Sequence, residues 1–175
     1  ALITRVRDNL DSYELGIALG EIYDFIWDVF CDWYIELSKT TLSAKGTEAN
    51  LVSQNVIVYV LENVLKLLHP FMPFITEEIY TSLPHFENCE SIMVSTYPVS
   101  KNEYNYTAEL ETMERVIETI KAIRARRTEM NVPPSRKAKL FITTKYQDSF
   151  NESTFEFFKK LASASYVEVV SEYKG

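Results

Sequence analysis

From Tyr13 to Lys39 the chain reads YELGIALGEIYDFIWDVFCDWYIELSK, and apolar residues return at helical intervals along the whole stretch. Ala18, Ile22, Phe25, Ile26, Val29, Trp33 and Leu37 lie on one side, while Tyr23, Trp27, Phe30 and Tyr34 widen that stripe to about half the circumference. Glu14, Glu21, Asp24, Asp28 and Asp32 gather opposite. A helix this apolar needs neighbours on more than one side, so it is expected to be the central rod of a helical bundle, exposing an acidic strip that repels phosphate. Trp33, in the middle of the arc, is expected to be core. Trp27 and Tyr34 at its rim are read as packing residues that are also candidates for base stacking.

The other elements follow from pattern and punctuation. Residues 2–10 read as the last turns of a helix whose beginning is missing, and the start at an alanine in mid-pattern suggests a fragment of something longer. Glu48 to Leu68 forms a second long helix. LLHPFMPFITEEIY, Leu67 to Tyr80, breaks that helix at His69-Pro70 and restarts one at Pro73, because proline disfavours helical geometry before it and suits a first helical position. The corner is read as scaffold. Phe71, Met72, Phe74, Ile75 and Ile79 are expected to supply apolar bulk, Glu77 and Glu78 to favour the start of the short helix (about Pro73 to Leu83), and His69 to act as a cap or core hydrogen-bonder.

Residues 84–106 look irregular around an extended piece, SIMVSTY, and a third long helix spans about Thr107 to Met130. KLFITT and YVEVVS read as strands flanking a helix from Asp148 to Ala164. The expected fold is mainly α: an antiparallel helical bundle over 1–134 with a small C-terminal α/β appendage over 135–175.

The chain's net charge of −7 argues at first against a nucleic-acid partner. Its distribution reverses that argument. KAIRARRTEMNVPPSRKAK, Lys121 to Lys139, holds seven basic residues and one acid, a local +6 that leaves the remainder at −13. Met113, Val116, Ile117, Ile120 and Ile123 form a buried stripe whose continuation lands on Arg124 and Arg127. Either these arginines pair with acids inside the bundle, such as Asp32 or Glu36, or the helix has run past the core and offers them to RNA. Lys121, Arg126, Arg136 and Lys137 are candidates for phosphate contact.

Other chemistry has little support. Cys31 and Cys89 lack metal-ligand or CxxC spacing and are read as reduced thiols; no nucleophile-base pair or glycine-rich phosphate loop is visible among only four glycines. No run approaches the roughly 18 apolar residues of a membrane span and the amino terminus, ALITRVRDNLDS, has no signal-peptide architecture, so a soluble, cytoplasmic protein without membrane contact is expected.

FIWDVFCDWYIELSK (Phe25 to Lys39), LLHPFMPFITEEIY and IKAIRARRTEMNVPPSRK (Ile120 to Lys137) stand in an order and spacing that resemble the tRNA anticodon-binding domain of valyl-tRNA synthetases, in the class I family. Variants of the HPFMPFITEE corner also occur in the isoleucyl and leucyl relatives, and FCDWYIELSK sharpens the likeness toward the valyl enzymes. The resemblance covers the α/β appendage, which in this family leads into a coiled coil absent here. It implies a module that grips the anticodon arm of a valine tRNA, inside an enzyme that joins valine to that tRNA with ATP and Mg²⁺. Nothing resembles the HIGH or KMSKS signatures, and the catalytic and editing parts are missing, so this chain is expected to need no cofactor and to be inactive alone. The runner-up is a helical protein-interaction domain whose basic corner meets an acidic surface.

Overall fold

In a computed structural model, which describes residues 2–84 and 89–171, the long apolar pattern winds without a break from Leu15 to Ser43. It does so in three pieces: α2 (Leu15–Asp24), a π-helical segment (Phe25–Ile35) and α3 (Glu36–Ser43). The middle piece changes which side chains reach the core, because i→i+5 winding turns the chain by less per residue than the roughly 100° of an α-helix. Ala18, Ile22, Phe30, Trp33 and Ser38 are buried, with Trp33 only 7% exposed, whereas Asp24 and Asp28 face solvent as expected. Val29 departs from the expected stripe and is 50% exposed.

Around this rod the first of two compact units, residues 1–102, is assembled. α1 (Leu2–Asp11) packs on α2, and α4 (Glu48–Leu68) packs on α2, α3 and α5 (Pro73–Thr81). Val6, Ala18, Ile22, Val64 and Leu67 form one core cluster, and Leu65, Tyr80 and Ile92 form another. Thr47 caps α4 by accepting from the Asn50 amide at 3.2 Å, and the Asn50 side chain donates to the Thr41 and Leu42 carbonyls, so the end of α3 and the start of α4 satisfy each other.

α4 bears on the expected absence of a membrane span: an 18-residue window of this 21-residue helix has a mean hydropathy of 1.4, enough to cross a membrane by length and composition, although polar residues interrupt every apolar run. Its Glu62 and Lys66 are both buried and pair at 2.9 Å, and its flanks pack against three other helices of the unit.

The corner at Pro70 is held by main-chain bonds from the Phe71 and Met72 amides to the Leu68 carbonyl, at 2.9 and 3.0 Å, and by a side-chain contact: His69 Nδ1 lies 2.7 Å from Thr76 Oγ1, which itself reaches the Met72 carbonyl at 2.8 Å. Phe71 packs against the core cluster of Val6, Ala18, Ile22, Val64 and Leu67 as expected, but the rest of the apolar bulk is placed otherwise. Thr76 and Tyr80 are buried, while Met72, Ile75 and Ile79 are exposed and Phe74 is 90% exposed, since α5 turns its Thr76–Tyr80 side inward. Glu77 and Glu78 fall beyond the first turn, outside the reach of the helix-start dipole. SIMVSTY is not a strand; Ser91 accepts from the Met93 amide and starts a 3-10 turn, Ile92–Val94. Residues 85–88 of this irregular stretch lie outside the described residues.

The second unit, residues 103–175, contains α6 (Thr107–Glu129), β1 (Ala138–Ile142), α7 (Glu152–Leu161) and β2 (Ala164–Val169). The pattern places a boundary at 134/135 with α6 in the bundle, whereas α6 shares a unit with the α/β elements and the division follows residue 102. β1 and β2 pair in parallel, Leu140 opposite Val167, with α7 as the crossover. α7 is shorter than the expected 148–164: Asn151 and Thr154 form a capping box at its start, and Ser163, at φ 54°, turns the chain out of the helix. The fold is thus mainly α, a helical bundle followed by a small α/β appendage.

Candidate nucleic-acid interface

The C-terminal half of α6 and the turn after it carry the basic segment. Val116 and Ile120 are buried and Met113, Ile117 and Ile123 half-buried, so the expected stripe is the one α6 packs with. Past Ile123 the stripe meets main chain. Arg124 Nε donates to the Leu161 carbonyl at 2.6 Å, at the last residue of α7, where helix carbonyls lack intrahelical partners. Arg127 Nη2 donates to the Pro133 carbonyl at 3.1 Å and also to that of Arg136. Both arginines thus reach backbone carbonyls, an arrangement that neither the acid pairing nor the open presentation expected from sequence includes. Glu36 pairs with Lys39 on its own helix, and Asp32 is exposed.

The turn is built to end α6 sharply. Asn131 adopts φ 52°, its amide donates to the Thr128 carbonyl at 3.0 Å, and the Val132 amide donates to the Arg127 carbonyl at 2.9 Å. These two bonds make a Schellman motif, and asparagine is among the few side chains that take the left-handed conformation readily. The following Pro133-Pro134 cannot continue a helix. The sequence predicts that Asn131 to Ser135 stops the helix with two prolines; the left-handed cap at Asn131 is what the structure adds.

The exposed cations then fall into place. Lys121 and Arg126 are exposed on α6, and Arg126 pairs at 2.9 Å with Glu129 one turn on, an ion pair open to solvent and so worth little. Arg136 and Lys137 are exposed beyond the turn, with no side-chain partner among the described residues, and Lys139 extends the row into β1. Rigid backbone thus presents Lys121, Arg126, Arg136 and Lys137, while Arg124 and Arg127 brace it. Of the stacking candidates, in the first unit, Trp27 is 52% exposed and tilted against Tyr23, with ring centres 6.2 Å apart. Tyr34 is half-buried and stacked on Phe30 at 6.0 Å, which occupies one of its faces. Among the described residues no cluster of His, Cys, Asp and Glu is arranged to hold a metal ion.

A helical module with a row of cations at one helix end is the class this combination defines. The sequence model described as the anticodon-binding domain of tRNA ligase matches residues 1–142, and the chain belongs to that family. It is similar to valine–tRNA ligases: 47% identical over 171 residues to that of Clostridium tetani, covering 97% of this chain and 19% of the relative. The Clostridium acetobutylicum enzyme is 43% identical over 95% of this chain and the Enterococcus faecalis enzyme 41% over 95%, with 19% and 18% of those relatives covered. The chain therefore spans about a fifth of the length of the ligases it matches.

Proposed function

We propose that this chain is the part of a valine–tRNA ligase that grips the anticodon arm of a valine tRNA. The observation that carries the reading is the row of exposed cations at the end of α6 and beyond its turn, in a chain that is otherwise acidic and belongs to a family named for anticodon binding. Arg136 and Lys137, standing on a turn braced by Arg127, make fixed phosphate contacts with the arm, and Lys121 and Arg126 extend them along α6. Trp27, as an exposed indole, is the better of the two stacking candidates.

In this reading the ATP- and Mg²⁺-dependent joining of valine to tRNA belongs to catalytic and editing parts outside this chain, the whole enzyme works in the cytoplasm, and the chain alone activates no amino acid. Binding of the purified chain to an RNA hairpin bearing the valine anticodon loop, followed against salt and compared with a plain duplex of equal length, tests it. Preference for the hairpin with a steep salt dependence is expected. Equal affinity for both, or none for either, would favour the second reading, a helical protein-interaction domain, for which the apolar surface at Phe74 and Ile75 is the supporting observation. Valine-dependent pyrophosphate exchange by the isolated chain is expected to equal the blank.

A further inference from the structure

α2 is apolar nearly all round, yet only Ala18 and Ile22 of its ten residues are buried. A helix that is hydrophobic on every side belongs in the interior of something larger, because its outward face otherwise leaves hydrocarbon in water. The side of α2 turned away from Ala18 and Ile22 carries Gly16, Leu19, Gly20 and Tyr23, with Ile17 at its edge. Ile17 is 53% exposed and Tyr23 60%.

The two glycines stand about one helical turn apart on this side, and neither has a positive φ that would call for glycine. An alanine methyl would fit at both places: among the described residues, nothing beyond chain neighbours and the helix's own backbone lies within 4 Å of where it would stand. Glycine in a helix interior is nevertheless less stable than alanine, since it gives up more conformational freedom on folding. Within this chain, then, Gly16 and Gly20 weaken α2 and serve no contact. Together they leave a shallow groove rimmed by Leu19 and Tyr23, the shape that lets a second helix come close, because the distance between packed helices is set by the side chains at the contact.

Charge narrows the occupant. No Lys or Arg stands between Arg7 and Lys39, whereas eight Asp and Glu do, and Glu14, Asp24 and Asp28 among them are exposed. Phosphates would be repelled along this side, and two copies of the chain laid face to face would bring the same acids together. The complement is a helix whose apolar stripe is bordered by Lys or Arg. The ligases similar to this chain supply a source, since the chain spans about a fifth of their length. We infer that the Gly16–Gly20 face of α2 is an interface inside the larger ligase, covered by an apolar, basic-edged helix from a part of the same polypeptide outside these 175 residues. The inference rests on the reading of the chain as one part of a ligase and adds the surface by which that part is held; the anticodon contacts do not enter it.

Hydroxyl-radical footprinting, with peptides mapped by mass spectrometry, tests it on the full-length ligase and on the isolated chain, both without RNA. Leu19 and Tyr23 are expected to be oxidised several-fold more slowly in the ligase. Gly20→Leu fills the groove. In the isolated chain it is expected to leave the melting temperature unchanged or to raise it, leucine being the better helix former, and in the ligase to return Tyr23 to the oxidation rate of the isolated wild-type chain. Equal oxidation of the two wild-type proteins would overturn the interface, as would a Gly20→Leu ligase that keeps Tyr23 protected. Protection that grows in the isolated chain with its concentration would overturn the proposed occupant in favour of a second copy, and protection that appears only on adding tRNA would overturn it in favour of RNA. The deciding comparison contains no RNA, so its failure leaves the anticodon reading standing, and failure of hairpin binding leaves this interface standing.

Discussion

Two proline-bearing turns interrupt helices in this chain, and they expose opposite chemistry. At His69-Pro70 the break is closed by main-chain bonds from the Phe71 and Met72 amides to the Leu68 carbonyl and by the His69–Thr76 side-chain contact, and α5 restarts at once with Phe74 and Ile75 in solvent. At Asn131-Val132-Pro133 the break is closed by main-chain bonds of a Schellman motif and by the Arg127 guanidinium, and the chain leaves as an exposed basic stretch. Each turn fixes the direction of the chain; what it displays depends on which residues are left over after the turn is satisfied. A proline corner by itself therefore says nothing about a partner.

The largest effect that could break this comparison lies in RNA binding. Changing Lys121, Arg126 and Lys137 together to alanine is expected to weaken hairpin binding and reduce the salt slope by about one unit per lost phosphate contact, with the melting temperature nearly unchanged. An unaltered slope would mean that the second turn displays its cations to something other than RNA.

Bracing comes next. Arg127→Ala removes two charge-assisted bonds to carbonyls and is expected to cost about 1–3 kcal/mol of stability, measured by denaturant unfolding, with hairpin binding falling as a consequence of the loosened turn. Because the site is only half-buried, the lower end is favoured. Asn131→Gly should be neutral within a few tenths of a kcal/mol, and Asn131→Ala should cost about 1 kcal/mol, since alanine pays for the left-handed conformation.

At the first turn His69→Ala is expected to cost about 1 kcal/mol through loss of the Thr76 contact, leaving the salt slope of RNA binding untouched. Smallest of all, Phe74→Ser should change stability by less than about 0.5 kcal/mol. A larger loss would show that Phe74 packs in the folded chain, and the contrast between the two turns would fail.

How far the sequence carried these conclusions differs between elements. α4, from Glu48 to Leu68, and α6, from Thr107, were legible to the residue because both combine a helical apolar period with clear starting signals. The rod was legible as a helix but misjudged as a surface, since a wheel drawn at α-helical pitch places Val29 inside when π-helical winding leaves it half in water. The basic segment was visible as composition, yet its division of labour was not. A carbonyl partner belongs to the backbone and leaves no mark on residue identity, so the bonds from Arg124 to Leu161 and from Arg127 to Pro133 could not be read from any pattern. Nor could the Glu62–Lys66 pair be recognised as buried, because i, i+4 acid-base pairs on helices usually lie in solvent.

The sequence by itself determined where helices run, where prolines stop them, and that positive charge is concentrated after Lys121, because each of these depends on neighbours within a few positions along the chain. Tertiary structure alone decided that Arg124 and Arg127 brace the end of α6 while Arg136 and Lys137 stand clear, and that Tyr97 and Pro98 face α4 across a pocket. Those outcomes turn on contacts between residues far apart in the sequence, where a few ångströms separate a guanidinium spent on a carbonyl from one left for a phosphate.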